Sequence, residues 1–81
     1  MSIRVLFFAS LADIVEGRER SVESSEVTDV NSVFNRFAAE FPAMETHRTS
    51  ILFALNSEFA HPDAPVRDGD EIAFLPPVSG G

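Results

Sequence analysis

The strongest constraint in this sequence is a single amphipathic stretch. Between residues 28 and 41, Val30, Val33, Phe34, Phe37, Ala38 and Phe41 recur at spacings of three and four, which lays out one apolar helical face. Asn31, Ser32, Asn35, Arg36 and Glu40 fall on the opposite, polar side. This is the one clear helix in the chain, so its apolar face must pack on a sheet. Thr28 is the expected N-cap, Asp29 suits the positive helix N-terminus, and Pro42 stops the helix.

The flanking segments read as strands. Residues 3–9 form an apolar run broken only by Arg4 and rich in Ile, Val and Phe. Alternation puts Ile3, Val5 and Phe7 on one face and Arg4, Leu6 and Phe8 on the other. Ser10 is expected to cap a short helical turn over residues 11–15, which Gly17 ends. Residues 18–24, polar with a lone Val22, are expected to pair antiparallel with the first strand. Residues 43–50 are a polar connection of open structure. The third strand spans 51–55, with a turn at Asn56-Ser57, a short strand at 58–60 and a proline-bearing loop at 61–65. A tight turn at 68–70 leads into the last strand, 71–75.

That order describes an α+β domain of the β-grasp, or ubiquitin-like, kind over residues 1–75. A mixed sheet packs on one main helix, with the first and last strands side by side at its centre. An extended C-terminal tail follows over residues 76–81. A second helix within 43–50 would instead permit a ferredoxin-like arrangement.

Composition narrows the chemistry. The chain has 81 residues, enough for one compact domain, and is 44% hydrophobic, too apolar for disorder. It has no cysteine, which excludes disulfides, zinc–thiolate sites and a catalytic thiol. A formal net charge of −7 repels nucleic-acid phosphate and anionic lipid, and favours a protein partner with a basic surface. No apolar run approaches the ~20 residues that cross a bilayer, and the N-terminal run is too short for a signal sequence. A cytoplasmic protein is expected, with no nucleic-acid or membrane partner. His47 and His61 stand alone, so no metal site is expected. Asp68-Gly69-Asp70-Glu71 lacks the ligand series of a calcium loop. Arg18 and Arg20 are expected to be solvated on an edge-like strand. There is no glycine-rich phosphate loop and no Ser-His-Asp constellation, so the chain is not expected to bind ATP itself.

The tail Pro76-Pro77-Val78-Ser79-Gly80-Gly81 carries the chemistry. Pro76-Pro77 donates no backbone hydrogen bond and fixes an extended path. Fully extended, the six residues reach roughly 20 Å, enough to thread a narrow channel in a partner. A terminal carboxylate is a poor electrophile until ATP converts it to an acyl-adenylate. Glycine then leaves the carbonyl sterically open. A sulfur nucleophile displacing AMP would make a thiocarboxylate at Gly81. The absence of cysteine is consistent with this chemistry, since sulfur carried covalently here cannot ride on a thiol side chain.

The stretch Asp68-Gly69-Asp70-Glu71-Ile72-Ala73-Phe74-Leu75-Pro76-Pro77-Val78-Ser79-Gly80-Gly81 resembles the end of the molybdopterin synthase small subunits, the MoaD/ThiS family of sulfur carriers. Val5-Leu6-Phe7-Phe8-Ala9 resembles that family's first strand, and Ala54-Leu55-Asn56 its third strand and turn. The resemblance covers the whole chain. It implies a β-grasp fold and a Gly81 that an ATP-dependent, E1-like enzyme adenylates. A sulfur-transfer system then forms the thiocarboxylate, a 1-thioglycine. It further implies a tail inserted into the large synthase subunit to give sulfur to cyclic pyranopterin monophosphate during molybdenum cofactor biosynthesis. Two small and two large subunits make the family's heterotetramer, and the catalytic side chains belong to the large subunit.

Alternation also leaves Leu6, Phe8, Ala73 and Leu75 on the face away from the helix. Phe8, Phe59 and Leu75 are the expected partner-binding patch at the root of the tail, and apolar residues at matching positions of the resembling family contact its partners. Two other uses of the same tail stay open: sulfur carriage for thiamin thiazole synthesis, and conjugation of Gly81 to lysines as a ubiquitin-like modifier. A plain interaction module with an inert tail is the third alternative.

Overall fold

The computed structural model describes residues 1–77, so Val78, Ser79, Gly80 and Gly81 lie outside the described residues. The elements run β1 (Ser2–Phe7), α1 (Ser10–Val15), β2 (Glu19–Glu23), α2 (Val30–Glu40), β3 (Leu52–Leu55), β4 (Glu58–Ala60) and β5 (Glu71–Leu75). Short 3-10 segments cover Ser24–Glu26 and Pro42–His47. The sheet order is β2-β1-β5-β3-β4. β1 and β5 pair in parallel at the centre, and every other neighbouring pair is antiparallel. This is the β-grasp arrangement. The ferredoxin-like alternative fails, because residues 43–50 hold a 3-10 segment and no second sheet-covering helix.

The period-two and period-3.6 patterns meet in one core. Ile3, Val5, Phe7, Phe53, Ile72 and Phe74 present the inner sheet face to Val30, Val33, Phe34, Phe37 and Ala38 of α2. Phe74 is the hub, lying edge-on to Phe7 at 5.4 Å, to Phe53 at 5.4 Å and to Phe34 at 5.8 Å. Such edge-to-face pairs contribute about 0.5–1.5 kcal/mol each beyond burial. Phenylalanine suits this position because it brings no hydroxyl or indole N–H that needs a partner.

The helix ends differ from expectation. Asp29, not Thr28, is the N-cap of α2: the Ser32 amide donates to Asp29 Oδ1 at 2.7 Å, and the Asp29 amide donates to Ser32 Oγ at 3.0 Å. This reciprocal pair is a capping box. The loop at 61–65 supplies two more acceptors. Ala64 O takes the Val30 amide at 3.0 Å and Pro62 O takes the Asn31 amide at 2.8 Å, satisfying first-turn donors that a helix leaves orphaned.

In α1, Ser10 is the first helical residue and caps nothing; Ala9 holds the N-cap position at φ 51, ψ −127. Glu16, not Gly17, takes the left-handed conformation, with φ 59. The Gly17 amide donates to Ala12 O at 3.0 Å, and Arg20 Nη2 donates to Val15 O. Arg20 is therefore not simply solvated. Its guanidinium closes the end of α1 and sits 5.8 Å from the Phe41 ring centroid.

Residues 43–50 bury Met44 and are clamped to α2 through Arg48. That side chain reaches Glu45 with Nε at 2.6 Å, Asn31 Oδ1 with Nη1 at 3.1 Å and Asn35 Oδ1 with Nη2 at 2.6 Å. It lies 4.6 Å over the Phe34 ring.

Candidate functional site: the outer sheet face and the root of the tail

Among the described residues α2 covers the inner face of the sheet and nothing covers the outer face, so register decides what sits beside what on that outer face. Leu6 pairs with Ala73, Ala73 with Ala54, and Ala54 with Phe59. These four residues form one apolar row across four strands. In the next row toward the C-terminal end of β5, Leu75 pairs with Leu52. The Phe8 amide donates to Phe74 O at 3.2 Å, continuing the β1–β5 ladder past the end of β1. That bond holds Phe8 beside Leu75, where the chain leaves the sheet for Pro76.

The row has a shape as well as a polarity. Ala54 and Ala73 are the small residues at its middle, and Leu6, Phe8, Phe59 and Leu75 stand around them. The result is an apolar trough with Ser57 and Glu71 at its rim. Phe59 is 77% exposed and Phe8 44%, so two of the trough's walls present apolar surface to solvent. Leu75 is half-buried between its neighbours.

Turn chemistry places Phe59. Asn56 and Ser57 both take positive φ, 52 and 74, which is the backbone of a tight two-residue hairpin. The Asn56 side chain then locks that hairpin to the start of β5. It accepts from the Glu71 amide at 2.9 Å and donates to Asp70 Oδ1 at 3.1 Å. The Gly69 turn that feeds β5 has φ 87, which glycine adopts without strain.

Polarity changes away from the tail. In the row that pairs Arg4 with Glu71, Arg4 Nε lies 3.3 Å from Glu19 and Nη1 lies 3.5 Å from Glu71. These are exposed ion pairs, worth little to stability, but they end the apolar surface on that side. Among the described residues, no cluster of three or more His, Asp or Glu side chains is placed to hold a metal ion. No helix among them is long and apolar enough to cross a membrane.

The structure brings the predicted residues Phe8, Phe59 and Leu75 together around one trough, with Pro76 and Pro77 leading away from it. Gly81, Gly80, Ser79 and Val78 are outside the described residues. The sequence reading missed Leu52, 44% exposed beside Leu75, and gave no role to the two alanines. Leu52 falls on the outward parity of its strand, so alternation carried on from the buried Phe53 would have found it. The alanines become informative only once register makes them neighbours.

Comparison with known proteins agrees with this fold. The family model described as the ThiS family matches residues 5–81. The molybdopterin synthase sulfur carrier subunit of Chlamydomonas reinhardtii is 32% identical, over 100% of this chain and 100% of its own length. That of Escherichia coli K12 is 35% identical, over 98% of this chain and 99% of its own. Small archaeal modifier protein 1 from Haloferax volcanii superposes with a TM-score of 0.84 at 29% identity, covering 100% of both chains. With its central parallel pair, its uncovered apolar sheet face and a family match running to the last residue, the chain belongs to the ThiS family.

Proposed function

We propose that this chain is the sulfur-carrier subunit of a molybdopterin synthase and acts in the cytoplasm in molybdenum cofactor biosynthesis. In this reading an E1-like enzyme uses ATP to adenylate the Gly81 carboxylate, releasing pyrophosphate. A sulfide nucleophile then forms a C–S bond to the carbonyl as the C–O bond to AMP breaks. The thiocarboxylate enters the large subunit, in an assembly of two small and two large subunits, and gives its sulfur to cyclic pyranopterin monophosphate. The chain binds no cofactor and contributes no catalytic side chain. Its part is to present the sulfur.

The observation that carries this reading is the placement of the trough at the root of the tail. Parallel pairing of β1 with β5 sets Phe8 beside Leu75, so a partner gripping Phe8, Phe59 and Leu75 also receives the chain that runs on through Pro76-Pro77. Burying such a side chain in a partner contributes about 1.5–3 kcal/mol. The relatives' name, sulfur carrier subunit, supports both the sulfur chemistry and the existence of a further subunit.

The test is intact mass after coexpression with the adenylating enzyme and a sulfur source. A gain equal to one oxygen-to-sulfur exchange, lost when Gly81 is deleted, is expected. Unchanged mass under conditions that load a known carrier overturns the proposal. Likeness to small archaeal modifier protein 1 favours a second reading, conjugation through Gly81, which would appear as heavier adducts on other proteins.

A further inference from the structure

Phe59 is the most exposed wall of the trough, and its own strand does little to hold it. β4 is a three-residue edge strand, paired with β3 alone, and none of its side chains is buried. Packing into the core therefore does not fix where the Phe59 ring stands. The backbone does, through two points. At the C-terminal end of β4 the loop is tied to α2, where Pro62 O accepts the Asn31 amide at 2.8 Å. At the N-terminal end the hold is the turn at Asn56-Ser57.

That turn is joined to β5 by one side chain. β3 and β5 pair as far as Leu55 and Ile72, so Asn56 stands level with Glu71. Facing residues of an antiparallel ladder can exchange two backbone hydrogen bonds. Asn56 makes the first with its backbone, its amide donating to Glu71 O at 2.7 Å. For the second, the Glu71 amide donates to the side-chain Oδ1 of Asn56 at 2.9 Å. The carboxamide stands in for a backbone carbonyl where the chain turns left-handed, at φ 52, into the hairpin. Its Nδ2 also donates to Asp70 Oδ1 at 3.1 Å. Glycine adopts a left-handed backbone with less strain than asparagine, so the turn by itself does not call for this side chain. What the side chain adds is a tie between the hairpin that carries Phe59 and the strand that carries Ala73 and Leu75.

We propose that Asn56 is a positioning residue for docking of the large subunit, resting on the carrier reading above: its carboxamide sets the angle of the β3–β4 hairpin against β5, so that Phe59 stands in place across the Ala54–Ala73 floor before the partner arrives. The large subunit is the occupant because the trough lies where the chain leaves the sheet for Pro76-Pro77. A wall placed in advance spares association the entropic cost of ordering it. Asn56 itself touches nothing on the partner. Its contribution passes through Phe59 and disappears when that ring is removed.

The experiment is a double-mutant cycle, read by calorimetric titration of the full chain against the large subunit: wild type, Asn56→Gly, Phe59→Ala and the two together. Asn56→Gly keeps the left-handed turn and removes both side-chain bonds. Asn56→Asp, run through the same cycle, keeps the side chain's size and sets a carboxylate against Asp70. Circular dichroism at the titration temperature checks that each variant is folded. Either substitution at position 56 is expected to raise Kd about tenfold when Phe59 is present and less than about twofold when it is alanine, a coupling of the size found between residues that act as one unit. A loss that persists undiminished without the ring overturns the inference, because Asn56 then acts on binding by another route. So do wild-type affinity in Asn56→Gly and unfolding of both position-56 variants, which leave Asn56 a residue of the fold alone. Phe59→Ala binding as tightly as wild type overturns it too, while leaving the carrier reading to the mass measurement. Failure of the wild type to bind the large subunit removes the docking reading itself, and this inference with it.

Discussion

Ala54 and Ala73 are register partners on β3 and β5, and together they line the depression that Phe8 and Phe59 flank. If this trough seats a partner's side chain, filling it must block docking without disturbing the core behind. Ala73→Phe and Ala54→Phe place strand-compatible rings on the outer face. Each is expected to melt near the wild-type temperature while weakening binding of the adenylating enzyme and of the large subunit. Displacing one apolar anchor costs about 2 kcal/mol, roughly thirtyfold in Kd. Calorimetric titration of both variants checks this, and full-strength binding would remove the trough from the docking surface.

Phe8 and Leu75 test the same surface by charge. Both lie at the point where the chain leaves the sheet, and neither belongs to the inner core. A Phe8→Asp, Leu75→Asp double variant should fold and yet bind both partners at least a hundredfold more weakly, about 3 kcal/mol. Circular dichroism establishes the fold and titration reads the affinity.

The capping box predicts an asymmetry between adjacent residues. Asp29→Ala removes the acceptor of the Ser32 amide and should cost about 1 kcal/mol. Thr28→Ala should be near neutral, since Thr28 takes part through its backbone amide, which donates to Ser32 Oγ at 2.9 Å. Equal losses in denaturant titrations of the two variants would contradict this assignment.

Ala9 adopts a backbone that favours glycine, at φ 51 and ψ −127, between Phe8 and α1. Relieving that strain with Ala9→Gly is expected to stabilise the fold by about 1 kcal/mol, or about 4–8 °C in Tm. A lower melting temperature would mean that the loss of chain stiffness outweighs the relief.

The Arg48–Glu45 contact gives a pH signature. The hydrogen bond from Arg48 holds the Glu45 carboxyl below the ordinary glutamate range. A carboxyl depressed in the folded state contributes stability that is present above its unfolded pKa and lost as pH falls through the folded one. The Tm advantage of wild type over Glu45→Gln should therefore be steady near neutrality and vanish on acidification below about pH 4. An advantage that grows on acidification would reverse the sign.

Much of this was legible in one dimension because the patterns are local. The 3-4 spacing from Val30 to Phe41 placed the helix and named its buried face. Alternation in residues 3–7 and 71–75 put Ile3, Val5, Phe7, Ile72 and Phe74 inside, as they are. Helix ends were harder. Thr28 and Asp29 are both good caps, and the choice fell to Asp29 because Ser32 can return the hydrogen bond and because the carbonyls of Pro62 and Ala64 arrive from thirty residues away to take the next amides. Arg20 was misread for the same reason: its partners, Val15 O and the Phe41 ring, lie on separate elements.

The sequence by itself determined the elements, their inward faces and the absence of any thiol side chain. These follow from side-chain periodicity and from functional groups that are present or missing, which need no knowledge of distant neighbours. Only the tertiary structure decided that Leu6, Ala73, Ala54 and Phe59 form one row, and that Phe8 stands beside Leu75 where β5 ends. The physical reason is that strand order and register are set by packing a whole sheet against α2. The outer face, which makes no contact with α2, inherits its neighbours from that packing.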